Sequence, residues 1–266
     1  MPPVASPSVV RRVWASLVDD AFLGVMLLAV FAGALVFQRA PAATSLAATR
    51  RPSASSAKPL ARTTADPYAS TVAEAIVPKV GIYDNENDPQ PSKTLDNPQP
   101  SGAPLVFLVK QLGTDMLNVY LPVRPNGSTG WIKRSDVKLT QHDWRVVVQL
   151  TAHRITVYNA ANVFLDEPIA VGKQDTPTPG GVYYIKELLK PPNPNTVYGP
   201  YAYGLSGFSN VLTTFNGGEG VIGIHGNNDA SVLGHDVSHG CIRMSNPGIT
   251  KLVSVLPLGV PVSIRT

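Results

Sequence analysis

Cys241 is the single cysteine among 266 residues, and His225, His235 and His239 all fall within the sixteen residues before it. A thiol is a strong nucleophile only as the thiolate, and imidazole is the side chain that takes its proton near neutral pH. The stretch 225–246, HGNNDASVLGHDVSHGCIRMSN, therefore holds the parts of a covalent acyl-transfer site. A lone thiol makes no internal disulfide, so in an exported chain it reads as reactive. Gly240 lets the main chain approach a substrate closely, and N–H groups around His239, Gly240 and Cys241 are candidate oxyanion-hole donors.

A zinc centre is the rival chemistry, because His225, His235, His239 and Cys241 are all potential ligands. The spacing of His235 and His239 serves a metal only on a helix, and Gly234 and Gly240 argue against one. No glutamate adjoins these histidines as a base, the nearest upstream being Glu219. The reading is thiol chemistry with no metal and no cofactor.

Short strands must position these groups. Val221 to Ile224 is an apolar run that ends at His225 and can deliver it to the cleft of Cys241. Residues 145–150, 154–158, 163–171, 181–188 and 260–264 also read as strands, joined by turns such as 178–181. Asn246, as cap, and Pro247 start a helix expected to run to about Leu256, before Pro257 and Gly259. The stretch VYGPYAYGLSGF places Tyr198, Tyr201 and Tyr203 in a Gly/Pro-rich segment, read either as a lid with aromatic walls or as a surface loop. Upstream, 75–77, 105–109, 117–121 and 130–132 are strand candidates, and Asn126-Gly127 favours a hairpin turn.

Residues 21–37, AFLGVMLLAVFAGALVF, are uncharged and mostly apolar. They read as a transmembrane signal-anchor or signal peptide after a cytoplasmic tail, 1–20. Residues 38–70, rich in Ala, Ser, Thr, Pro and Arg, read as a flexible linker. Seven basic and three acidic groups before residue 71 account for the net charge of +4, while 143–266 is balanced at eight of each. The basic excess lies in the tail and linker, which argues against nucleic acid as a partner and fits a membrane surface.

His225-Gly226, followed by Ser238-His239-Gly240-Cys241 and Arg243, strongly resembles the active-site motif of the L,D-transpeptidase catalytic domain. The likeness spans about 143–266 and includes the VGKQDTPTPGG hairpin at 171–181. NVYLPVRPNGSTGWIKRSDV resembles the end of a bacterial SH3-like barrel, which makes 71–140 an SH3-like domain and 141–266 the catalytic domain. The resemblance implies a mostly β fold: a β-sandwich-like catalytic domain with one main helix, beside a small SH3-like β-barrel.

It also implies roles. Cys241 attacks the third-residue carbonyl of a peptidoglycan stem tetrapeptide and expels D-alanine. His225 carries the proton, oriented by the Gly226 carbonyl, while His239 and Gly240 shape the oxyanion hole. Arg243 holds a carboxylate of the stem peptide as a bidentate partner. Ser238, and Tyr198 and Tyr201 from the tyrosine-rich segment, are read as further substrate contacts. A second stem then supplies an amine and a 3→3 cross-link forms; with water the enzyme is an L,D-carboxypeptidase. Carbapenems are expected to acylate Cys241, and the protein is expected in the cell envelope with its C-terminal domains outside the cytoplasm. A wall-binding protein with a weakly active catalytic domain is the other alternative.

Overall fold

The computed structural model describes residues 67–214 and 218–266. The tail, the apolar segment 21–37 and nearly all of the linker lie outside the described residues. Among the described residues, no helix is long and apolar enough to cross a membrane.

The first half is antiparallel. Its sheet has the order β6-β5-β4-β1-β7, from β1 (Ser70–Ala75), β4 (Val106–Leu112), β5 (Met116–Tyr120), β6 (Thr129–Lys133) and β7 (Val137–His142). A separate hairpin joins β2 (Lys79–Ile82) to β3 (Lys93–Asp96). Alternation decides which face is buried: Leu117 and Val119 on β5 meet Ile132 and Gly130 on β6, and the apolar members are fully enclosed. The expectation of a strand at 75–77 is corrected. The strand is STVAEA, Ser70–Ala75, which shares only Ala75 with the expected run, and Ile76 beyond it is exposed. Ala, Glu and Ser favour strands poorly; pairing with β4 on one side and β7 on the other imposes the conformation.

Only Asp143 separates β7 from β8 (Trp144–Gln149), which starts a second sheet. The other strands of that half are β9 (Arg154–Asn159), β10 (Asn162–Pro168), β11 (Val171–Gly172), β12 (Gly181–Leu189), β13 (Ala202–Phe208), β14 (Val221–His225), β15 (Asp236–Ser238), β16 (Ile242–Arg243) and β17 (Pro261–Arg265). The run expected over 163–171 is split, with β11 leaving to pair in parallel with β15. The eight-stranded sheet runs β10-β9-β8-β17-β12-β13-β14-β16. The C-terminal strand thus enters the middle, parallel to β8 and antiparallel to β12.

Registers align the core. Val157, Val146, Val262 and Tyr183 are successive partners across four strands, and all four are buried. Enclosing each such aliphatic side chain contributes about 1.5–3 kcal/mol, so rows of this kind hold the sheet. Val72, Val106 and Leu108 of the first sheet pack with Tyr184 of β12, which joins the two halves through apolar surface.

The one α-helix among the described residues is α1 (Asn246–Val253), which buries Gly248, Ile249 and Leu252 against the larger sheet. Its cap is Ser245, whose Oγ accepts from Gly248 N at 2.9 Å, so the assignment of the cap to Asn246 is corrected. Glu167 accepts from both the main chain and the hydroxyl of Ser245, at 3.2 Å each, and fixes the helix start beside β10. The mostly β architecture with one main helix is as the sequence implied.

Candidate active site

Parallel pairing of β14 with β16 brings the chemical groups together. Ile224 lies against Ile242 and His225 against Arg243, so Cys241, just before β16, sits beside Gly223. Side chains alternate along a strand, so Ile224, Ile242 and Met244 turn into the core while Cys241, Arg243 and His225 share the opposite face. All three line one cavity of about 320 Å³, with Val197, Tyr198, Ser209, Leu212, Ile222, Ser238 and His239 among its other walls.

His225 is buried, and its Nδ1 is 2.7 Å from the Gly226 carbonyl oxygen. A carbonyl only accepts, so Nδ1 carries the hydrogen and Nε2 is left with the lone pair of a base. Burial holds the imidazole down to a pKa of about 4; the Gly226 carbonyl opposes this, Arg243 adds to it, and the Val197 main chain opposes it. Burial likewise raises the Cys241 thiol, against the Gly223 main chain and Arg243, which lower it. In this state the pair rests as neutral thiol and neutral imidazole.

The turn carrying Cys241 is built from small polar groups. Ser238 Oγ donates to the Cys241 carbonyl at 2.5 Å and accepts from Gly240 N at 3.1 Å. The Gly240 N–H is therefore committed to Ser238, and its reading as an oxyanion-hole donor does not hold in this arrangement. Gly240 has φ +118°, a backbone region that L side chains rarely adopt. Ser238 is buried and acts on the turn itself, although it borders the cavity.

Sequence reasoning flagged the 171–181 hairpin as a whole but missed its working residue. Buried Thr178 donates to the Gly240 carbonyl at 2.9 Å and accepts from Gly172 N at 2.8 Å; Thr176 donates to the Ser238 carbonyl at 3.3 Å. Thr178→Val keeps the shape and removes both bonds. It is expected to destabilise the fold by about 1–3 kcal/mol. It should also slow alkylation of Cys241 by iodoacetamide; a variant that melts and reacts like the parent would refute the bridging role.

Asn246 was also missed as a site residue. Its Oδ1 accepts from Asn227 N at 2.8 Å and pins the loop after His225. A Cβ on Gly226 would come within 2.3 Å of that oxygen and 3.1 Å of the Gly199 Cα, so Gly226 is needed for this close packing.

The three tyrosines separate. Tyr198 faces the cavity, its ring centroid 5.0 Å from that of His225. Tyr201 packs against the apolar core and is not among the residues lining the cavity. Tyr203 is buried in β13 and donates to the Leu256 carbonyl at 3.3 Å; the lid reading ends where that strand begins. His239 is an exposed rim residue. His235 and His239 flank β15 rather than share a helix face, and among the described residues no three His, Cys, Asp or Glu side chains converge as a metal site.

Part of the chain is similar to known proteins. Residues 143–264 match the family model described as the L,D-transpeptidase catalytic domain, YkuD. The YkuD protein of Bacillus licheniformis, designated an L,D-transpeptidase, is 36% identical over 121 residues, which cover 46% of this chain and 65% of that protein. The YkuD protein of Bacillus subtilis is 35% identical over 122 residues, covering 46% and 66%. The chain thus spans just under two thirds of the length of these relatives. Among solved structures, Bd1075 of Bdellovibrio bacteriovorus is 26% identical, with a TM-score of 0.36 over 46% of this chain and 47% of that one.

Proposed function

We propose that the protein is a peptidoglycan L,D-transpeptidase that forms 3→3 cross-links through a Cys241 thioester. The observation that carries this is the 2.7 Å contact of His225 Nδ1 with the Gly226 carbonyl, in a cavity shared with Cys241 and Arg243. It makes Nε2 the base of a triad whose third member is main chain.

In this reading, Cys241 Sγ bonds to the carbonyl carbon of the third stem residue as its proton passes to His225. The Cys241 N–H faces the developing oxyanion. The carbon–nitrogen bond to D-alanine breaks, and His225 returns the proton to the leaving amine. The side-chain amine of a second stem then attacks the thioester, gives its proton to His225 and leaves the thiol restored. Arg243 holds a substrate carboxylate; its Nε is buried without a partner among the described residues, which suits a cation awaiting an anionic group. Tyr198 forms an aromatic wall for the stem. Anchoring by residues 21–37, an SH3-like role for 71–140, and acylation by carbapenems belong to the same proposal.

The test is mass spectrometry of the full chain incubated with a disaccharide-tetrapeptide. A dimer lacking one D-alanine is the expected product. Monomer that loses D-alanine without dimer would make water the acceptor and the enzyme a carboxypeptidase. No product, together with no mass adduct from a carbapenem, would overturn the acyl-transfer reading.

A further inference from the structure

The β5–β6 connection of the first sheet reaches the wall of the Cys241 cavity. Arg124 Nη1 donates to the Ser209 carbonyl at 2.9 Å, and Nη2 donates to the carbonyls of Glu219 at 2.9 Å and Leu212 at 3.3 Å. Its guanidinium lies 4.9 Å from the Phe208 ring centroid. Asn126 acts as a mock strand: Nδ2 donates to the Phe208 carbonyl at 2.8 Å and Oδ1 accepts from Phe208 N at 2.9 Å.

The gripped residues leave β13 and return to β14. Ser209 N donates to the Gly220 carbonyl at 2.8 Å, and Ser209 Oγ accepts from Leu212 N at 3.0 Å. Gly220 has φ +69°, and a Cβ there would fall 2.0 Å from the Leu212 carbonyl oxygen, so the two limbs touch. Ser209, Leu212, Gly220 and Val221 all line the cavity that holds Cys241. Among the described residues Arg124 pairs with no carboxylate, and every hydrogen bond it makes goes to a main-chain carbonyl of this wall. A planar fork of five donors reaches carbonyls spread along the wall in fixed directions, whereas a lysine ammonium offers three donors at a single point.

Resting on the acyl-transfer reading of Cys241, we propose that Arg124, assisted by Asn126, is a positioning residue for the acyl donor. Through it the first sheet sets the cavity wall formed by residues 209–212 and 219–221. The first half of the protein thereby acts on donor binding without touching the donor, while the thiol and imidazole stay in place on β14 and β16.

The experiment compares full-length wild type with Arg124→Gln, Arg124→Lys and Asn126→Ala. Readouts are donor kinetics with the disaccharide-tetrapeptide, Cys241 alkylation by iodoacetamide, and hydrogen exchange followed by mass spectrometry. Arg124→Gln is expected to raise KM about tenfold, the worth of one to two net hydrogen bonds, with kcat and alkylation within about twofold. Arg124→Lys should fall between Gln and wild type. Exchange should quicken in peptides covering 209–214 and 218–222 and not in β8, β9 or β17. Unchanged KM and exchange in a folded Arg124→Gln would overturn the proposal, as would kcat, KM and melting temperature falling together in all three variants. If wild type itself yields no product, the acyl-transfer reading fails, and the exchange comparison still decides whether Arg124 holds the wall.

Discussion

Cys241→Ser is expected to abolish donor turnover, by about 10³-fold or more, while leaving the fold intact. The position is strict because the turn is over-determined. Ser238 holds the Cys241 carbonyl and the Gly240 amide, and Thr178 holds the Gly240 carbonyl, so the side chain at 241 has one place to go. Serine fits there, but its hydroxyl ionises far less readily than a thiol, and the burial that raises the Cys241 thiol would weigh on an alkoxide too. A neutral imidazole held near pKa 4 is a modest base, adequate for a thiol and inadequate for an alcohol. The same variant should take no carbapenem adduct in an intact-mass measurement. Cross-linked dimer from Cys241→Ser at a tenth of the wild-type rate would remove Cys241 from the role of nucleophile.

The segment 225–246 was legible because its signals are local. A strand ending in His-Gly and a Ser-His-Gly-Cys turn lie within one loop and one short strand pair, so spacing along the chain stood in for distance in space. The residues that sequence reasoning missed act from elsewhere. Thr178 reaches Gly240 across 62 positions and Asn246 reaches Asn227 across 19. Neither contact leaves a periodic trace in composition. Asn246 followed by Pro247 looks like a cap, yet Ser245 immediately before it is an equally good one, and Glu167 from β10 decides between them.

The fold shows the same limit. Candidate strands in the second half fell close to the observed ones, because Val- and Ile-rich runs between turns are local features. The insertion of β17 between β8 and β12 is a long-range pairing that no window of sequence contains. The tyrosines were ambiguous for a related reason. Tyr198, Tyr201 and Tyr203 share one short segment, and only the onset of β13 at Ala202 separates a cavity wall from core packing.

His225→Gln is expected to lower turnover by about 10³-fold and to change the pH dependence of what remains. In wild type the base is lost only when His225 protonates, so kcat/KM should hold from neutral pH down to an acid limb near 4, rather than fall through 6.5 as with an ordinary imidazole. In the variant no imidazole assists, and alkylation of Cys241 should rise only in the alkaline range, where the buried thiol ionises by itself. Stability carries an independent trace. The folded pKa lies below the unfolded one, so the unfolded chain binds the proton more readily. The neutral His225 contribution is therefore complete above pH 6.5 and is lost as pH falls toward 4. The difference amounts to about 3 kcal/mol by the linkage relation. His225→Gln should flatten that part of a denaturant-midpoint profile. An acid limb near 6.5 in wild type, or a stability profile over pH 4–6.5 that the variant leaves unaltered, would mean that His225 is not the buried, neutral base its hydrogen bond to Gly226 implies.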